Sequence, residues 1–274
     1  MTVRDIGLGG NMRGQMIDRM KKDYTQILSR EWKGKPIWEA IRDKELTACP
    51  ALVGERFHRE EGFKLMFVGR AVNGWEVEFE DCSTLENTVN SVVRQKNLLD
   101  DFAKDFVPVT KKDKDGNDVV EKYYFAKSPF IRMMKALVRE KRGTDEEWQK
   151  HIVWSNLFKV ALRTTGNPSW MMVREDIPLY CDILEQEILI HKPDLIVFAT
   201  EDGFFDPYPN NDKYGSFLPL LNEKSIKKDN LPDYITMVGR HSGWSRIKII
   251  VCQRPEGKPG KVLVENILKA EQMI

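Results

Sequence analysis

Ile152-Val153-Trp154-Ser155-Asn156 (IVWSN), then Arg174–His191 (REDIPLYCDILEQEILIH), then Leu195–Thr200 (LIVFAT) decide the fold. The first and last are short apolar runs rich in β-branched residues, which reads as buried strand. Between them Ile177, Cys181, Leu184 and Ile188 recur at spacings of four, three and four, one apolar face of a helix, and Pro193 stops it. Two further runs match the strands: Lys64–Gly69 (KLMFVG) and Lys248–Gln253 (KIIVCQ). None of the four alternates with polar residues, so they suit a parallel sheet covered on both faces. Ser128–Arg142 opens with Ser-Pro, an N-cap followed by an N1 proline. It sets Ile131, Met134, Leu137 and Val138 against a basic side of Arg132, Lys135, Arg139 and Arg142.

The order predicts an α/β fold, three layers α/β/α around a four-stranded parallel sheet, as one domain over 1–274. Residues 1–60 read as a helical N-terminal extension, with Trp32, Ile37, Trp38 and Ile41 as packing candidates. Residues 106–126 read as a β-hairpin insertion that turns around Lys114-Asp115-Gly116-Asn117.

Composition narrows the function classes. Lys and Arg number 43 and Asp and Glu 42, so the chain carries a net charge of +1. A histone-like or acidic-tail protein is excluded, and an anionic partner must meet a local patch. Apolar runs fall short of the roughly 18 residues of a membrane span, and the first residues lack the apolar stretch of a secretory signal. Cys49, Cys82, Cys181 and Cys252 are widely scattered, as reduced thiols in a cytoplasm would be.

Three familiar motifs fail. GLGGNMRG has Met12 where a dinucleotide loop needs its third glycine, and no strand precedes it, so it reads as a chain terminus. KKDKDGND puts Lys111 and Lys122 where a calcium loop needs carboxylates. No pair of cysteines or histidines has zinc-ligand spacing, and no nucleophile elbow is present.

Function in an open parallel sheet collects at the carboxyl ends of the strands. Those ends carry Gly69-Arg70-Ala71-Val72-Asn73-Gly74-Trp75-Glu76, then Asn156-Leu157-Phe158-Lys159, then Arg254-Pro255-Glu256-Gly257-Lys258. Over residues 64–260 this pattern resembles the uracil-DNA glycosylase superfamily. The "VG" ending of the first strand with its glycine-containing loop is similar to that superfamily's first motif. IVWSNLFKVALRTTGNP resembles its second strand, which ends in asparagine. Glu175, Cys181, Leu184, Ile188 and Pro193–Val197 resemble its helix and third strand. Arg254-Pro255-Glu256 stands where it carries His-Pro-Ser.

The resemblance implies a protein that acts on a base flipped out of DNA, with no metal or other cofactor. Iron–sulfur members use four cysteines; here Cys181 matches one position, but Val160 occupies another, so no cluster is expected. Asn156 takes the base-reading role, since a carboxamide both donates and accepts. Trp75, then Phe79, are the candidates to stack on the base. Arg254 replaces the histidine that stabilises the leaving base. The superfamily places Asp, Glu or Asn one or two residues after the glycine to orient water. This chain has Arg70 and Ala71 there, leaving Asn73 and Glu76 as the catalytic candidates. Arg70, Arg240, His241, Trp244 and Lys258 are the candidate DNA contacts; Gly239–Lys261 holds six basic residues against Glu256 alone. Two rivals stand beside an enzyme of base excision: a catalytically inactive nucleic-acid-binding member of the fold, and a nucleoside or nucleotide hydrolase.

Overall fold

The computed structural model describes residues 10–71, 79–94, 99, 106–163, 168–205 and 215–274. The central sheet contains β1 (Leu52–Val53), β2 (Leu65–Gly69), β3 (Ile152–Asn156), β4 (Leu195–Ala199), β5 (Ile235–Arg240) and β6 (Lys248–Cys252). Their spatial order is β5-β6-β4-β2-β3-β1. The four strands expected from the sequence, β2, β3, β4 and β6, run parallel. The sheet is nevertheless six-stranded, because β1 pairs antiparallel with β3 and β5 antiparallel with β6. Those two edge strands close rows of backbone groups that would otherwise be unpaired.

Helices cover both faces: α1 (Gly10–Leu28), α2 (Ile37–Arg42), α3 (Leu85–Val93), α4 (Pro129–Arg142), α5 (Ile177–His191) and α6 (Gly260–Glu271). Strand residues alternate between the two cores. Met66, Val68, Val153, Ile196, Phe198 and Val251 pack with α1, α2, α3 and α5. Leu65, Phe67, Trp154, Val197, Ile250 and Cys252 pack with α4 and α6. The crossover helices α4 and α5 thus lie on opposite faces, and the strand order reverses about β2.

Local chemistry sets the boundaries. Ser128 Oγ accepts the Ile131 N–H at 3.4 Å to start α4, and Gly143, at φ +77°, ends it. Lys192, at φ +49°, ends α5 just before Pro193. The hairpin pairs Phe106–Lys112 with Asp118–Tyr124. Its turn is held by the Asp113 carboxylate, which accepts the N–H groups of Asp115 and Asn117 at 2.9 and 2.8 Å.

The N-terminal region differs from the helical extension expected. Helix begins already at Gly10, so Met12 and Gly14 of the glycine-rich stretch are helical. Residues 29–60 mix α2 with strand: Glu31–Trp32 pairs with Lys35–Pro36, and Leu46–Ala48 pairs with Val160–Leu162. Such short ladders have too few residues to show a period in sequence. Ile37 and Ile41 are buried as expected, and Trp32 and Trp38 pack against the same core.

Candidate functional site

Sheet register brings the strand ends into one row. Gly69 pairs with Asn156, Val68 with Phe198, and Ala199 with Cys252. Asn156, Gly69, Ala199 and Cys252 therefore stand side by side at the carboxyl edge. Three inter-strand steps of about 4.8 Å span the row.

Asn156 is 4% exposed, and its Oδ1 is buried without a hydrogen-bond partner. The carboxamide lies over Gly69: a Cβ at that glycine would meet Asn156 Oδ1 at 2.9 Å, the Trp154 indole at 3.7 Å and the Phe130 ring at 3.8 Å. Glycine is required there by close approach. The two rings, 5.1 Å apart at their centroids, line this corner at the first turn of α4, and the indole Nε1 is the Trp154 atom nearest Gly69. The turn after Asn156 is tied to β2, with Leu157 N–H on Gly69 O at 2.8 Å and Phe158 N–H on Arg70 O at 2.9 Å.

Below that turn lies a charged cluster that the sequence reading missed. Lys159 Nζ donates to Glu187 Oε2 at 2.7 Å and to Ser155 Oγ at 2.8 Å, and Ser155 Oγ donates to Glu187 Oε2 at 2.6 Å. Glu187 Oε1 accepts the Ala51 N–H at 2.9 Å. The Lys159 and Glu187 side chains are 0% and 1% exposed. A strand end, α5 and the start of β1 are thereby locked to one another.

Arg70 leaves the centre of the row. Its Nε donates to Thr200 O at 3.2 Å, and its terminal nitrogen meets Glu201 Oε2 at 2.6 Å. The guanidinium lies 5.3 Å from the centre of the Phe204 ring. Arg254, two residues past Cys252, is on the same edge, half-exposed, with its Nε 3.3 Å from Glu256. Lys258 follows in the same loop, over the Tyr234 ring. Phe79 is half-buried and packs against the core of α1, α2, α3 and α5. Asn73, Trp75 and Glu76 lie outside the described residues.

Arg240, His241 and Trp244, the other candidate DNA contacts, fall at the opposite edge of the sheet. Arg240 pairs with Lys248, the first residue of β6, and therefore sits at the amino edge of the parallel strands. Trp244 lies against Lys192, just after α5, at 4.6 Å. Arg240 donates to Ser245 O at 2.7 Å and to the backbone oxygen of Ile274, so its guanidinium is spent on the fold. His241 is fully buried, and its Nδ1 accepts the N–H groups of Gly243 and Trp244 at 3.1 and 3.2 Å. Burial pushes its imidazole down to about 4. The physical reason is topology: the 241–247 loop joins antiparallel β5 to β6, and so returns to the opposite edge. Five strand residues at about 3.3 Å each separate the two edges.

Two cavities flank the sheet ends. One of about 490 Å³ lies at the amino edge among Glu60, Arg142 and His151, whose charges are largely paired with each other. One of about 700 Å³ opens at the first turn of α5 between Trp32, Met172 and Asp176. Asp176 is held by Arg30 at 2.7 Å, and burial lifts its carboxyl to about 6.

Among the described residues no group of three or more His, Cys, Asp or Glu side chains is placed to hold a metal ion. No described helix is long and apolar enough to cross a membrane. The chain matches no family model and no curated protein.

Proposed function

We propose that this chain is a uracil-DNA glycosylase-like protein, which hydrolyses the N-glycosidic bond of a damaged base flipped out of DNA. Asn156 carries the reading. An unsatisfied buried amide oxygen costs about 1–3 kcal/mol, a cost that a ligand bringing an N–H would remove. The imide edge of uracil offers an N–H beside a carbonyl, which a carboxamide meets with its oxygen and its NH₂. Trp154 and Phe130 line the corner with aromatic rings, and the missing side chain at Gly69 leaves room for the amide. Departure of the base leaves negative charge on it, and Arg254 on the same edge provides a permanent cation for that charge. Favouring the non-enzymatic alternative is the first loop itself, where Arg70 and Ala71 stand in place of a water-orienting carboxylate.

The test is base preference in single-turnover excision. Asn156→Asp replaces a donor with an acceptor, so preference moves from uracil toward cytosine. Equal loss on every base would make Asn156 a residue of the fold alone and remove the reading.

A further inference from the structure

Glu201 has a backbone that its residue type resists. Its φ is +68° and ψ 167°, a region in which glycine alone is at ease. It lies one residue past Thr200, between the ends of β2 and β6, and its N–H donates to Cys252 O at 3.0 Å. Its side chain is 47% exposed, so burial does not explain why a glutamate is kept there. Strain of this kind persists where the surroundings over-determine it, and it gathers at functional sites.

The carboxylate is also oriented. Arg70 holds Oε2 at 2.6 Å while its Nε is fixed on Thr200 O, and the guanidinium lies over the Phe204 ring. Oε1 makes no hydrogen bond among the described residues, and the side chain as a whole is about half-exposed. In the sheet, Ala199 and Asn156 stand two strand spacings of about 4.8 Å apart with Gly69 between them, and Glu201 follows two residues after Ala199.

Resting on the glycosylase reading above, we propose that Glu201 is the catalytic carboxylate that orients and deprotonates the attacking water, with Arg70 as its positioning residue. The carboxylate absent after Gly69 is thereby supplied from the neighbouring strand. Water oxygen bonds to sugar C1′ as the C1′–N bond breaks. The bonding pair leaves on the base, the water proton passes to Glu201, and the base anion takes up a proton from solvent.

Two substitutions test this in single-turnover excision by the full chain on uracil-bearing duplex DNA. Glu201→Gln keeps the size of the side chain and an oxygen for Arg70. It is expected to lower excision by about 10²-fold or more with DNA affinity unchanged. Glu201→Gly relieves the backbone and is expected to raise the thermal midpoint by about 2–4 °C while losing the same activity. Excision by Glu201→Gln at the parental rate, or a lowered midpoint in Glu201→Gly with activity intact, overturns the assignment and makes the pair a structural tie. A parent that excises no base removes the glycosylase reading itself, a result distinct from an active parent that is indifferent to Glu201.

Discussion

Asn156 was legible as a residue because it ends a strand whose apolar run is unmistakable, and strand ends are where ligands bind. Its partners were not. The 2.9 Å approach to Gly69 depends on the register of β2 against β3, which sequence spacing does not reveal. The Lys159–Glu187 pair spans 28 positions and leaves no local pattern, and Lys159 reads as an ordinary surface lysine. Buried as completely as it is, that pair makes an asymmetric prediction. Removing one partner strands the other charge, so Lys159→Met is expected to cost about 3–5 kcal/mol in urea unfolding. Adding Glu187→Gln keeps an acceptor for Ala51 N–H and a donor for Ser155, and is expected to restore at least about 1 kcal/mol of that loss. A double variant less stable than Lys159→Met would show that the two side chains are not energetically coupled in this way.

Elements were legible where they were long or uniformly apolar. β2, β3, β4 and β6 all fall within one residue of the runs read from sequence, and α4 and α5 begin or end at the proline signals that mark them. β1, two residues long, has no period to read, and β5 follows a Pro- and Asp-containing stretch that masks its start. The loop from β5 to β6 lies in a basic stretch of sequence, and its centre is the buried His241. Neutral imidazole accepts two backbone N–H groups there, and a protonated one cannot. The unfolded chain takes up this proton near pH 6.5, the folded chain only near 4, so folding stability falls as pH drops through that window. The full effect is about 3 kcal/mol. His241→Asn does not titrate, so the parent's advantage over it should shrink by about 2–3 kcal/mol between pH 7 and pH 4.5 in urea titrations. A difference that stays constant across those two pH values would separate His241 from the acid response.

At the scale of the whole molecule, the parallel sheet sorts eight of the described residues by edge. Arg70, Asn156, Glu201, Arg254 and Lys258 share the carboxyl edge; Arg240, His241 and Trp244 occupy the other. Sequence proximity grouped Arg240 with Arg254, but the antiparallel turn from β5 to β6 parts them. A near-neutral chain gives no global field toward DNA, so the cations at one edge must act locally. The most direct measurement is single-turnover abasic-site formation on uracil-bearing duplex DNA by saturating parent, Asn156→Ala and Trp244→Ala. The carboxyl-edge site predicts that the parent and Trp244→Ala cleave alike and that Asn156→Ala falls by about 10²-fold or more. No cleavage by the parent, parental cleavage by Asn156→Ala, or a loss confined to Trp244→Ala would contradict it.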